Sequence, residues 1–293
     1  MPDAANLPEP LPRSRAISLF GRAPSPLPAL SLPVTLDLAS GREIFSDFLP
    51  SPDFNPARVW ESLTPIELNA DHLIENGLFS NAASDPAATS FDILRTRLLG
   101  GLAEKGWRRV AVASPTHGCG TTLVAANLAL GLARRPDSRT VLMDFDLRRP
   151  RLAQLLGVDH VQPLTDFLTG EQPLESLFFR VERRLALGLN AEPVEDAAAR
   201  LLNPDTTLAL NAMLDQLDPD VVIYDMPPAL TSDDVIAMAP NLDCLLLVCD
   251  GTRTSPEDIR ACERLFADRL PLMGVVLNRA QDRRPRRYRY DKE

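Results

Sequence analysis

The sequence predicts an α/β fold, a doubly wound and mainly parallel sheet with helices on both faces, and three observations predict it. Short, continuously apolar runs recur along the chain, segments with helical spacing separate them, and the residues able to do chemistry cluster just after the runs. Continuous apolar runs mark strands covered on both faces, and their alternation with helices implies parallel crossover connections. In such sheets ligands sit beyond the carboxyl ends of the strands. A chain of 293 residues with 45% hydrophobic and 24% charged residues is long enough to bury one large core of this kind.

About a dozen of the 27 prolines fall before Ile66, where glycine is scarce and no apolar period is sustained. Residues 1–85 therefore read as a proline-rich, largely disordered N-terminal arm, 86–282 as the folded domain, and 283–293 as a basic tail. Within the domain, Phe91, Leu94, Leu98 and Leu102 recur at helical spacing among Asp92, Arg95, Arg97 and Glu104, so 91–107 is an amphipathic helix. The run 109–114 (RVAVAS) is the first strand; it meets a loop holding Pro and Gly, after which 122–132 resumes as a helix. Further strands are expected at 140–145, 185–189, 221–224, 245–249 and 273–277.

The loop ASPTHGCGTTLV has the context of a phosphate-binding loop, since it follows a strand and opens a helix. Gly118 and Gly120 permit close backbone approach, and the free N–H groups at Thr121 and Thr122 sit at a positive helix end. The usual GKT or GKS pattern places a lysine on the β and γ phosphates and a hydroxyl on magnesium. Here Thr121 stands in the lysine's place and Thr122 in the hydroxyl's. A charge-assisted hydrogen bond contributes about 1.5 to 3 kcal/mol, so the change costs roughly one to two decades of nucleotide affinity and more in transfer chemistry. The plainer reading is a glycine turn joining strand to helix.

Two strand ends are acidic. VLMDFDLRRP puts Asp144 and Asp146 on one side of an extended chain, because side chains alternate with period two. Such a pair suits a magnesium ion that keeps most of its waters. Arg148 and Arg149, which follow at once, are placed to touch phosphate or a neighbouring subunit and so to compensate for Thr121; helix capping by Asp146 with a solvated arginine pair is the alternative. VVIYDMPPAL ends a strand on Asp225 just before two prolines, where a carboxylate orients water on magnesium or polarises the attacking group.

With these residues in view, 90–280 resembles the bacterial tyrosine kinases of capsule and exopolysaccharide synthesis, among the deviant-Walker-A P-loop NTPases that include the MinD- and ParA-like proteins. DFDLRRP is similar to that family's Walker A′ motif and YDMPP to its Walker B motif, while FDILRTRL, RPRLAQLLGV and LTDFLTGEQPLESL fit its pattern. The resemblance implies ATP and Mg2+ as cofactors. It implies catalytic roles for Asp144, Asp146 and Asp225, and magnesium held by Thr122, Asp144 and Asp225. It places His117, Gly118, Cys119, Gly120, Thr121, Thr122, Leu123, Arg148, Asn278 and Arg279 around the nucleotide, Asn278 on the adenine, and makes Tyr288 and Tyr290 of RRYRYDKE the phosphoacceptors. It further implies a membrane polysaccharide co-polymerase as partner, a cytoplasmic place peripheral to the inner membrane through that partner, and a homo-oligomer. The family's ring-forming ExxRxxR is incomplete here, with Thr89 and Asp92 where its Glu and first Arg would fall before Arg95.

The departures leave three functions open: an autophosphorylating tyrosine kinase, a regulator impaired by Thr121 that keeps nucleotide binding, and a partitioning-type ATPase. The last is weakened by Thr116, which stands where that branch carries a second lysine, and by a net charge of -9, which disfavours nucleic acid. The basic tail, from Arg279 through Arg283, Arg284, Arg286, Arg287 and Arg289 to Lys292, is the local exception. Cys119, Cys244, Cys249 and Cys262 form no CxxC pair, which predicts buried thiols in a reducing compartment, and no run approaches the length of a membrane helix.

Overall fold

The computed structural model describes residues 55–79, 86–136, 138–190 and 192–280. The first 54 residues and the tail with Tyr288 and Tyr290 lie outside them. The strands are β1 (Thr64–Ile66), β2 (Arg109–Ala113), β3 (Thr140–Asp144), β4 (Phe178–Val181), β5 (Leu185–Gly188), β6 (Val221–Asp225), β7 (Cys244–Asp250) and β8 (Leu272–Asn278). They form one sheet in the order β1-β4-β5-β3-β6-β2-β7-β8. Among the described residues every neighbouring pair is parallel except β4 with β5.

The helices that position the site are α1 (Pro56–Ser62), α2 (Ala70–Glu75), α3 (Pro86–Lys105), α4 (Thr121–Ala133) and α5 (Leu152–Leu156). After them come α6 (Thr165–Leu168), α7 (Leu174–Leu177), α8 (Ala197–Leu202), α9 (Pro204–Leu217), α10 (Asp234–Met238) and α11 (Pro256–Phe266). Alternate residues of each central strand enter two separate apolar layers. Val110 and Val112 join Val124, Leu128 and Leu152 on one face; Ala111 and Ala113 join Tyr224, Met213 and Phe266 on the other. Because both faces are filled, β3, β6 and β7 are buried along their whole length.

Residues 55–79 fall inside the stretch that composition assigns to the arm, yet they are folded. Pro56 opens α1 with the Asn55 side chain accepting from the Ala57 N–H, and Trp60 is buried with its Nε1 donating to the Leu217 carbonyl at 2.6 Å. Asn69 caps α2 by accepting from the N–H groups of Asp71 and His72. A few well-placed caps and one indole anchor order a short segment whose own composition lacks a sustained apolar period. Residues 77–79 then run beside α4: the Asn127 side chain accepts from the Phe79 N–H (2.8 Å) and donates to the Gly77 carbonyl (3.1 Å).

Candidate nucleotide site

At the carboxyl ends of β2, β3 and β6, the loop 114–120 and the loop 145–151 enclose a cavity of about 580 Å³. Its shape is set first by glycine. Gly118 (φ 82°) and Gly120 (φ 87°) hold left-handed backbone, and Gly120 is the cap from which α4 starts, so the first N–H groups of that helix open onto the cavity. A Cβ on Gly120 would also collide with the Asn278 amide. Of the residues expected at the site, His117, Gly118, Gly120, Thr121, Thr122, Leu123, Asp146 and Arg279 line the space.

Behind that lining lie two fully buried carboxylates. Asp144 and Asp225 end the adjacent strands β3 and β6 and are register partners. Asp144 Oδ2 accepts from the N–H groups of Arg151 (3.1 Å) and Leu152 (3.0 Å), whereas its Oδ1 has no partner. Neither oxygen of Asp225 has a hydrogen-bond partner. Burial, with the Asp146 charge adding to it, pushes Asp144 up to about 8 despite the two amides. Burial and then the Asp144 charge push Asp225 well above the ordinary carboxylate range, and the Thr122 hydroxyl facing it opposes the shift without completing a hydrogen bond. Asp146 is raised as well, chiefly by partial burial, and it lines the cavity itself. The period-two alternation runs past the strand end: Met143, Phe145 and Leu147 enter one apolar layer, leaving Asp144 and Asp146 to the other side.

Orphaned, buried carboxylate oxygens cost free energy in a folded protein. Three such oxygens on two adjacent aspartates, beside a hydroxyl and a row of free amides, suit a hard divalent cation that arrives with phosphate oxygens and water completing its shell. The residues present fit Mg2+ and a polyphosphate. Thr122, Asp144 and Asp225 would hold the ion.

Four of the residues expected around the nucleotide make contacts within the protein. Arg148 turns to a neighbouring cavity of about 160 Å³, where its Nε and Nη2 pair with Asp234 at 2.8 and 2.9 Å. Cys119 is buried, its thiol donating to the Thr116 carbonyl at 3.2 Å. Asn278 donates to the Cys119 carbonyl (2.9 Å) and accepts from the Arg279 N–H (2.9 Å), which stitches the end of β8 to the phosphate loop. Arg279 reinforces that stitch by donating to the Gly118 carbonyl and to Asp250, each at 2.9 Å. Hydrogen bonds from Thr252, joined by Arg279, hold Asp250 at about 2.

Sequence reading missed several lining residues. Asn76 reaches the cavity because the folded 77–79 segment is tied to α4, and Arg151 and Gln154 reach it because the loop after β3 folds back onto Asp144. Nothing in local spacing signals either event. The RRPR run is the one visible hint of excess cation at this place.

The similarities to known proteins agree with this geometry. A family model described as ParA, the NUBPL iron-transfer P-loop NTPases, matches residues 107–286. EpsB of Ralstonia nicotianae is 31% identical over 211 residues, which are 70% of this chain and 27% of EpsB. The tyrosine-protein kinase YwqD of Bacillus subtilis is 26% identical over 63% of this chain and 78% of its own length. The succinoglycan biosynthesis transport protein ExoP of Rhizobium meliloti is 29% identical over 61% of this chain and 23% of ExoP. The chain thus spans about a quarter of EpsB and of ExoP. Among solved structures, the VpsO kinase domain superposes with a TM-score of 0.59 at 26% identity, covering 67% of this chain and 97% of that domain.

Proposed function

The chain belongs to the ParA family of P-loop NTPases and has bacterial tyrosine-protein kinases among its relatives, and from that premise we propose that it is an ATP- and Mg2+-binding, tyrosine-kinase-like ATPase of exopolysaccharide export. The observation that carries this reading is the unpartnered Asp225 carboxylate behind Thr122, next to the half-satisfied Asp144. The amides of Gly118 to Thr122 and the positive end of α4 would receive the phosphates. Thr122, Asp144 and Asp225 would hold Mg2+, which when bound would neutralise charge on the phosphates.

Asp146 takes the role of base. Its carboxylate lines the nucleotide cavity and also the smaller cavity walled by Pro227 and Pro228, so it stands between nucleotide and acceptor. Partial burial raises its proton affinity, which suits it to accept a phenol proton. The tyrosine oxygen then bonds to the γ phosphorus, the bond to the bridging oxygen breaks, and ADP leaves. Tyr288 and Tyr290 are the acceptors in this scheme, supplied by a neighbouring copy in a homo-oligomer. The chain acts in the cytoplasm at the inner membrane, through a polysaccharide co-polymerase partner; among the described residues no helix is long and apolar enough to cross a membrane.

Thr121 favours a second reading, a nucleotide-binding regulator with little transfer activity. The iron-transfer activity in the family model's description gains no support from the thiols. Cys119, Cys244, Cys249 and Cys262 are all buried, and burial pushes the last three to about 12, 11 and 12, against the thiolate form that binds metal. Incubation with ATP labelled at the γ phosphate separates the readings. Label on Tyr288 and Tyr290, faster in Thr121→Lys, is the expected result. ATP binding without label in either protein would establish the regulator, and no binding by either would refute both.

A further inference from the structure

The chain lacks the lysine of its phosphate loop, and the cavity around that loop holds other cations, of which sequence points to Arg149 but not to Arg151. Arg149, Arg151 and Arg279 line it together with Thr121. Arg279 is already committed, since its Nη1 bridges the Gly118 carbonyl and Asp250. Arg148 belongs to Asp234 and the adjoining cavity. Arg253 approaches Gly118, 4.0 Å from a Cβ built there, but does not line the cavity. Arg149 and Arg151 are exposed, and neither side chain has an ion-pair partner among the described residues.

Their backbones, by contrast, are fixed by the acidic residues of the site. The Arg149 N–H donates to Asp146 Oδ1 (3.2 Å), and the Arg151 and Leu152 N–H groups donate to Asp144 Oδ2 (3.1 and 3.0 Å). The loop that carries the two arginines is therefore laced at both points to the carboxylates of Asp146 and Asp144. Two guanidinium groups that form no salt bridge among the described residues face a cavity whose lining also includes the loop amides, the Thr121 and Thr122 hydroxyls and the Asp146 carboxylate, so an incoming polyphosphate offers them a larger negative charge than Asp146 alone. An anion there meets positive charge delivered from the far wall.

We infer that Arg149 and Arg151 bind the β and γ phosphates in place of the absent lysine, so that the cation moves from the phosphate loop to the loop after β3. The inference rests on the nucleotide-binding reading above. It makes two predictions that a merely solvated arginine pair does not: selectivity for polyphosphate over nucleoside, and redundancy with a restored lysine.

The test is calorimetric titration of the full chain with ATP and Mg2+, and with adenosine. It is run on the natural protein, on Arg149→Gln/Arg151→Gln, and on both again in a Thr121→Lys background. Removing both charges is expected to weaken ATP binding by about tenfold or more while leaving adenosine affinity unchanged. The same pair of changes in the Thr121→Lys background is expected to cost at least threefold less, because the lysine then carries the load. Arg149→Lys/Arg151→Lys restores most of the loss. Unchanged ATP affinity in the double Gln variant overturns the inference, as does an equal loss for adenosine or an undiminished loss in the Thr121→Lys background. Binding seen only after Thr121→Lys overturns it too, since nothing then compensates in the natural chain. No binding in any protein refutes the nucleotide-binding reading itself.

Discussion

Two aspartates at opposite ends of the same sheet show how differently this fold uses one side chain. Asp243, at the amino ends of β2 and β7, is saturated: its Oδ2 accepts from the Arg108 and Arg109 N–H groups (2.9 and 2.8 Å) and its Oδ1 from the Arg109 guanidinium (3.1 and 2.7 Å). Burial pushes it up, but the guanidinium and the two amides outweigh burial and hold it below the ordinary carboxylate range. Asp225, at the carboxyl end of β6, is more deeply buried and has no partner on either oxygen, and its proton affinity is driven well upward. The same sheet that satisfies a carboxylate this fully at one end leaves one without a hydrogen-bond partner at the other. Satisfaction marks structure, and its absence marks a site.

The largest effect that separates the two comes from Asp225→Asn. In the Thr121→Lys background, which gives the transfer rate room to fall, it is expected to slow phosphoryl transfer by about 100-fold or more. The melting temperature holds or rises, because the substitution removes a buried ionisable group with no partner to lose. Kinetics with labelled ATP beside a thermal melt check both, and a large loss of stability would move Asp225 to the structural class.

Asp243→Ala is expected to do the reverse. Two backbone amides and a half-buried guanidinium lose their acceptor, which costs about 2–3 kcal/mol and lowers the melting temperature by about 5–10 °C. Nucleotide affinity stays within about twofold of the natural value. An intact melt with lost nucleotide binding would erase the contrast between the two ends.

The smallest effect is in pH. Asp144 has its folded pKa raised to about 8 from an ordinary 3.8, so the fold binds the extra proton and its contribution to stability is full below the unfolded pKa. It is lost as pH rises from about 4 through 8. The nucleotide-free protein should thus become less stable from pH 6 to pH 8.5. Mg2+-dependent ATP affinity should rise over the same window, because the ion needs the carboxylate form. Thermal melts with and without ATP and Mg2+ check the opposite slopes; parallel slopes would place the titrating group elsewhere.

Legibility in the sequence also differs between regions. The inner strands β2, β3, β5, β6 and β7 show as apolar runs because both faces are buried, and Asp144 and Asp225 show because they end such runs. The β1 edge was hidden. β1 is three residues long, contains Pro65 and is largely exposed, so its own pattern does not announce its pairing with β4, and Trp60 just before it is anchored to the end of α9 at Leu217. β4 runs antiparallel to β5, a reversal no local run discloses. In the site, the glycines and aspartates are legible because they are conformational or positional necessities. Arg151, Asn76 and the Asn278 stitch are not, because each depends on distant backbone groups, the Arg151 and Leu152 amides on Asp144 among them.

The most direct measurement is calorimetric titration of ATP into the natural protein and into Asp225→Asn, each with Mg2+ and again with a chelator. Binding by the natural protein that weakens about tenfold or more when the ion is removed, and an Asp225→Asn protein whose weaker binding ignores the ion, is the predicted outcome. Equal dependence on Mg2+ in the two proteins would contradict the claim that the bare carboxylates at the strand ends complete a metal–triphosphate site.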